Sequence, residues 1–254
     1  MSFADYGIFF GCVGLACFAQ NLTGFAFGLI FLGLISLFGT LDLATAANVI
    51  SILSLANALP SLKSDKAPLP KKPFYTSLAL SLIGVVIGLY LLNFLNQELE
   101  VYLKILLGLT ILIASFLLIL SKKTPEKMSS LPLFAFFGGL SGILGGLFST
   151  AGPPLVYIVY RQPIALTVIK RFLVLSFAAN AIVRIALEIY NGHINWQIIT
   201  LSAMAFPFVL VMSMIQKRYP IKWPIDVIKK IVFVLLVLTS ISLLTPAARY
   251  LLNF

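Results

Sequence analysis

Residues 131–160, LPLFAFFGGLSGILGGLFSTAGPPLVYIVY, decide how this chain is built. The stretch is apolar, carries no charged side chain, and is interrupted once, at Ser149-Thr150-Ala151-Gly152-Pro153-Pro154. Neither proline can donate a backbone hydrogen bond, and proline at a first helical position starts a helix well. The stretch therefore reads as two short or half-length helices meeting at a non-helical turn. Non-helical backbone at membrane depth is tolerated only where protein buries it or water reaches it.

A second stretch behaves the same way. Gly7–Phe38 would be roughly 48 Å long as one helix, too long for a simple span of a 30 Å hydrocarbon core. It is interrupted by Gln20-Asn21-Leu22-Thr23-Gly24. A shift of 128 residues sets Gly11 on Gly139, Gly14 on Gly142 and Gly24 on Gly152. The break Asn21–Gly24 then falls on Ser149–Gly152, and a short deletion brings Asn57 onto Asn180 and Asn48 onto Arg171. Each broken segment is followed by three apolar spans: 41–60, 73–93 and 102–120 in the first half, then 166–190, 196–216 and 227–244 in the second. The expected architecture is an all-α polytopic membrane protein of two repeats, 1–125 and 126–254. Each repeat opens with a helical hairpin, 7–38 or 131–160, and continues with three spans.

Composition points to the same class. Of 254 residues, 60% are hydrophobic and 10% charged, against about 25% charged in a soluble domain. Too few polar residues exist to coat a water-soluble globule, which excludes a soluble enzyme, a nucleic-acid binder and a disordered chain. Cys12 and Cys17, five apart in apolar sequence, read as small buried hydrophobes and not as a disulfide.

The net charge of +10 serves orientation. Twelve of the 18 basic residues lie in three loops: Lys63, Lys66, Lys71 and Lys72; Lys122, Lys123 and Lys127; Lys217, Arg218, Lys222, Lys229 and Lys230. By the positive-inside rule these loops are cytoplasmic. The loops at 96–100, with Glu98 and Glu100, and at 191–195 are then external. All five assignments agree only if each hairpin returns to its own side, which inverts the second repeat relative to the first. Inverted repeats with interrupted helices are a transporter architecture, with the site at the repeat interface.

Catalytic constellations are missing from the spans: His193 reads as a solvated loop residue and Asp42 as a helix cap. No cofactor or metal is expected. The breaks carry more information, because a half-helix starting inside a membrane presents unpaired N–H groups and partial positive charge. Such an end can receive an anion, with Asn21, Thr23, Ser149 and Thr150 as neutral donors. Gly24 and Gly152 would allow close approach to the backbone. Asn48, Asn57 and Asn180 place polar groups at matching depths of the repeats. Among the basic residues outside the loops, Lys170 is expected to snorkel to headgroups, and Arg184 to pair with Glu188 near the outer surface. Arg171 is the cation expected to touch the substrate.

Phe136-Phe137-Gly138-Gly139-Leu140-Ser141-Gly142-Ile143-Leu144-Gly145-Gly146, followed by Ala151-Gly152-Pro153-Pro154, resembles the glycine-rich repeat segment of the TauE/SafE family of sulfite exporters, also grouped as toluene sulfonate uptake permeases. Gly11–Gly28 resembles its partner segment, although Phe18-Ala19-Gln20-Asn21-Leu22-Thr23 replaces the usual run of glycines. The resemblance implies secondary transport of a small anion, sulfite, a sulfonate or a related organosulfur compound, across the cytoplasmic membrane, with export favoured. A passive anion channel and an importer of a non-sulfur carboxylate stay open as alternatives. The expected partners are the small anion and the lipid bilayer. A proton is the coupling ion considered, although Asp5, Asp42, Glu98, Glu100 and Glu188 all lie near segment ends. A homodimer is compatible with the sequence, which does not fix the oligomeric state.

Overall fold

The computed structural model describes residues 3–23, 25–64, 67–94, 100–120, 127–150, 152–219 and 225–252. Gly24, Lys66, Glu98, Lys122, Lys123, Ala151 and Lys222 lie outside the described residues. Those described form ten helices: α1 (Phe3–Thr23), α2 (Phe27–Phe38), α3 (Leu43–Ser64), α4 (Lys71–Phe94), α5 (Glu100–Leu120), α6 (Leu131–Phe148), α7 (Gly152–Tyr160), α8 (Leu166–Tyr190), α9 (Trp196–Arg218) and α10 (Ile225–Leu252). Six of them, α1, α3, α4, α6, α8 and α9, contain stretches long and apolar enough to cross a membrane. The chain is an all-α polytopic membrane protein.

The second opening segment breaks between Phe148 and Gly152, as expected, whereas the first breaks later than its expected start at Gln20. Gln20, Asn21 and Thr23 do not interrupt the first helix, because α1 runs unbroken for 21 residues to Thr23. Thr23 Oγ1 donates to the Ala19 carbonyl four residues back, 2.8 Å away, so this hydroxyl is satisfied within helical geometry. Each opening segment is thus one long arm, α1 or α6, followed by a short return arm, α2 (12 residues) or α7 (9 residues). They are not two half-length helices. Helices α3, α9 and α10 also overrun their expected ends, with Pro60 and Pro207 inside α3 and α9.

The helices pack in related pairs. α4 lies on α6 and α1 on α9; α3 touches α9 and α4 touches α8; α2 meets α10 and α5 meets α7; α3–α8 and α5–α10 pair across the centre. The closest of these contacts is α4 on α6. Gly138, Gly142 and Gly146 recur every four residues, so they form one stripe on α6. Opposite them stand Ser77, Ser81, Gly84 and Gly88 of α4. Backbone lies against backbone here: a Cβ at Gly146 would stand 2.6 Å from the Leu89 amide nitrogen, and one at Gly84 2.8 Å from that of Ile143. Close approach of this kind is how helices associate without a hydrophobic driving force. The corresponding α1–α9 contact is looser, since Gly14 meets only the Phe208 ring, at 3.6 Å.

Phenylalanines fill the interior between these frames. Phe9, Phe27, Phe31, Phe134, Phe148 and Phe172 are fully buried, and Phe74 meets Phe172 edge to face at 5.1 Å. Cys12 and Cys17 are buried and unpaired with each other, as expected. Asp42 accepts from the Thr45 amide at 2.9 Å and caps α3.

The α6 stripe supports a stability test. Gly142→Ala should cost about 1–3 kcal/mol, because its Cβ drives into the Ser81 backbone. Gly139→Ala, whose Cβ meets only Leu80 at 3.9 Å, should stay within about 0.5 kcal/mol of the parent. Thermal unfolding of the detergent-solubilised variants reads the difference.

Candidate functional site

The second hairpin closes on itself before it meets the rest of the molecule. Gln162, just beyond α7, is buried and accepts from the Ser129 amide at 2.9 Å, while its Nε2 donates to Ser129 Oγ at 3.0 Å. These bonds bring the end of α7 back to the start of α6. The hairpin therefore returns to its own end of the fold, and Ser149 and Thr150 sit at its tip. The Tyr160 hydroxyl donates to the Thr23 carbonyl, and the Phe25 and Tyr160 rings meet at 6.2 Å, which ties this hairpin to the first.

The two tips meet. A Cβ at Gly28, in the first turn of α2, would stand 2.5 Å from the Thr150 methyl and 3.3 Å from the Ser149 carbonyl oxygen. Only glycine leaves room for this approach. Beside the junction lies a cavity of about 440 Å³ of empty space, its open mouth included, lined among others by Gln20, Ser54, Ser149, Thr150, Asn180 and Arg184.

Arg184 dominates this cavity. It is 1% exposed, and its guanidinium reaches three helices. Nη1 donates to Asn48 Oδ1 at 2.5 Å and to Ser51 Oγ at 3.1 Å, both on α3, and Nε donates to the Gly146 carbonyl of α6 at 3.1 Å. Nη2 makes no hydrogen bond and lies 3.4 Å from Glu188 Oε1 on its own helix. Ser51 Oγ continues the network to Ser149 Oγ at 2.6 Å. Thr150 Oγ1, in a residue 4% exposed, has no partner. A guanidinium stays protonated in proteins. The cavity wall therefore carries a fixed positive charge with a donor left over and an unused hydroxyl nearby, an arrangement suited to an oxyanion.

Ser149 holds an uncommon backbone conformation. It caps α6 with φ 55°, the positive-φ residue other than glycine among those described. A left-handed conformation costs a residue with a Cβ about 1–2 kcal/mol, yet the hydroxyl that bridges to Ser51 sits here.

Of the residues singled out in the sequence, Ser149, Thr150, Gly152 and Asn180 line this cavity, and Asn48 reaches it through Arg184. Asn180 is also engaged across the α8–α4 contact, its Nδ2 and Oδ1 lying 2.7 and 3.1 Å from Ser81 Oγ. Asn21 and Asn57 belong to a different cluster, between α1, α3 and α9. There Asn21 Nδ2 donates to Gln216 Oε1 at 2.5 Å and Ser213 Oγ donates to Asn57 Oδ1. Thr23 accepts from the Phe25 amide at 3.4 Å and finishes α1, so it serves as a turn residue. Gly24 lies outside the described residues. Arg171 donates to the Ala67 carbonyl in the loop before α4 and does not line the cavity. Lys170 reaches the Asn21 carbonyl at 3.4 Å.

Of the two arginines, Arg184 lines the cavity and Arg171 does not. Arg184 does pair with Glu188, but it is buried against α3 and α6 instead of standing near the surface. Gln162, Ser51 and Gly28 were missed as well. A glutamine shortly after the proline-started helix was the available signal for the first. The serine at 51, one turn beyond Asn48, was the signal for the second.

Fold and cavity together define a polytopic helical membrane protein with a buried cation where its two hairpins meet. A family model described as sulfite exporter TauE/SafE matches residues 9–243, and the chain belongs to that family. It is 28% identical over 235 residues to a protein of Cupriavidus necator named probable sulfite/organosulfonate exporter TauE, covering 92% of each chain. No solved structure matches.

Ser149→Gly should be tolerated better than Ser149→Ala, by about 1 kcal/mol in thermal unfolding. Both variants lose the bond to Ser51, but glycine relieves the left-handed strain that alanine keeps.

Proposed function

We propose that this chain is a secondary transporter that moves a small sulfur oxyanion, sulfite or an organosulfonate, across the cytoplasmic membrane by alternating access, in the direction of export. The observation that carries this reading is the buried guanidinium of Arg184 with Nη2 unbonded, in one cavity with the unpartnered Thr150 hydroxyl. The family and the name of the Cupriavidus necator protein support the substrate class. The anion would take its charge partner from Arg184 and further hydrogen bonds from Thr150, Ser149 and Asn180. A carboxylate would meet the same guanidinium, so direct competition between sulfite, sulfonates and carboxylates ranks the substrates.

Residues 1–125 and 126–254 would act as the two inverted repeats of this cycle. The related helix contacts support the division, as does the meeting of the hairpin tips at the cavity. In this reading α4 and α6, packed backbone to backbone, would move as one body, and the looser α1–α9 contact would slide. Rocking of one bundle against the other around a fixed midplane site is how such folds alternate access. The basic loops would face the cytoplasm, which places the short turn at 191–195 outside.

Reconstituted in proteoliposomes, the protein should show saturable sulfite transport and counterflow, which a passive pore lacks. Arg184→Gln should lower transport by about 100-fold, since it removes charge-assisted bonds each worth about 1.5–3 kcal/mol. Thr150→Val should lower it about tenfold, and Arg171→Gln less than threefold. Full transport by a folded Arg184→Gln variant, together with loss in Arg171→Gln, would overturn the assignment.

A further inference from the structure

Arg184 has a buried acidic neighbour on its own helix. Glu188 is 2% exposed; its Oε1 lies 3.4 Å from Arg184 Nη2, and its Oε2 lies 2.9 Å from His193 Nδ1. The His193 side chain is 47% exposed, and its amide also bonds the Glu188 carbonyl at 3.0 Å. A continuous path of side chains thus runs from the cavity, through a buried carboxylate, to an imidazole at the surface. Nothing in the transport reading requires this path. We propose that Glu188 is a proton site linked to the anion site: its carboxylate competes with the transported anion for Arg184, and its protonation through His193 releases Arg184 to the anion. The proposal rests on the reading that Arg184 holds the substrate.

The physical reason is charge balance in an apolar interior. One guanidinium neutralises one carboxylate. Adding an anion beside an ionised Glu188 would leave a net negative charge buried among α3, α6 and α8, which is costly. A proton taken from water by way of His193 onto Glu188 Oε2 removes that excess, and no other bond changes. Anion binding and proton binding must then favour each other to the same degree.

Other ionisable groups on the packed helices stand elsewhere. α3 and the residue before it contribute Asp42, already engaged by the Thr45 amide, and Lys63 at the opposite end. α4 contributes Lys71, Lys72 and Tyr75 at its far end and the exposed Tyr90. α6 has none. α7 contributes Tyr157, held by Arg161, and Tyr160, held on Thr23. On α8 itself Lys170 and Arg171 lie at the other end, and Tyr190 is exposed. Among the described residues, the ionisable partners recorded for Glu188 are therefore Arg184 and His193.

Ethanesulfonate is the suitable probe, because sulfonates keep one negative charge between pH 5 and 8 whereas sulfite changes its own. Calorimetric titration of the purified protein should show affinity rising about tenfold as pH falls from 8 to 5. Repeating the titration in buffers of different ionisation enthalpy should show protons taken up on binding. Glu188→Gln should bind tightly at every pH with no proton uptake. If that variant does not fold, His193→Gln decides: the pH at which affinity changes should move. Wild-type affinity without pH dependence, a Glu188→Gln variant that still takes up protons, or an unmoved midpoint in His193→Gln would each overturn the proposal alone. Absence of binding by ethanesulfonate and sulfite at every pH would overturn the transport reading first, and this proposal with it.

Discussion

A single positive charge sealed inside an apolar bundle sets the terms for the centre of this molecule. Burying an ion costs several kcal/mol unless partners replace its water. Arg184 obtains them from three helices: Asn48 and Ser51 on α3, the Gly146 carbonyl on α6, and Glu188 on its own α8. Each bond constrains a helix position. The Gly146 carbonyl is available at the right depth only because α6 lies so closely along α4 that no side chain fits between them. The glycine stripe and the buried arginine are therefore parts of one arrangement, the first placing the backbone that the second needs.

The hairpin tips follow from the same accounting of donors. A helix starting in mid-membrane would ordinarily offer four free N–H groups to an anion. In α7 two of the first four positions are Pro153 and Pro154, which have none. The prolines that make the helix start reliably also remove half of its backbone donors. Side chains line the cavity at this tip instead: Ser149, Thr150 and the guanidinium of Arg184. The strained φ of Ser149 fits this account, because glycine would relieve the backbone and lose a hydroxyl from the cavity.

Much of this was legible in the sequence, for identifiable reasons. The span series, the broken segments and the residues Ser149, Thr150, Gly152 and Asn180 follow from hydrophobic length, proline chemistry and repetition, all local properties. The choice between Arg171 and Arg184 is not local. Counted along the helix, Arg184 lies six residues from Tyr190 and resembles a surface residue, whereas Arg171 faces Asn48 in the repeat alignment. What decides is the face that α8 turns toward α3, and that depends on a contact with Asn48, 136 residues away. Gln20 and Asn21 misled for the opposite reason. Polar residues near a glycine suggest a break, yet α1 runs through both of them and ends only at Thr23.

The repeat alignment that pairs Asn57 with Asn180 has a shift of 123, so Arg184 falls opposite Ser61. No cation stands at the related place in the first repeat, and the partner of Asn48, Arg171, spends its charge on the Ala67 carbonyl in a loop. On the proposed repeat alignment, the charge at the cavity is therefore one-sided. In the proposed cycle, a symmetric pair of cations would oppose the step that must release the anion. A single arginine shared with Glu188 would, on the proposed reading, be contested between a mobile ligand and a tethered one. Such a contest would allow release as well as capture, and the proposed carrier cycle needs both.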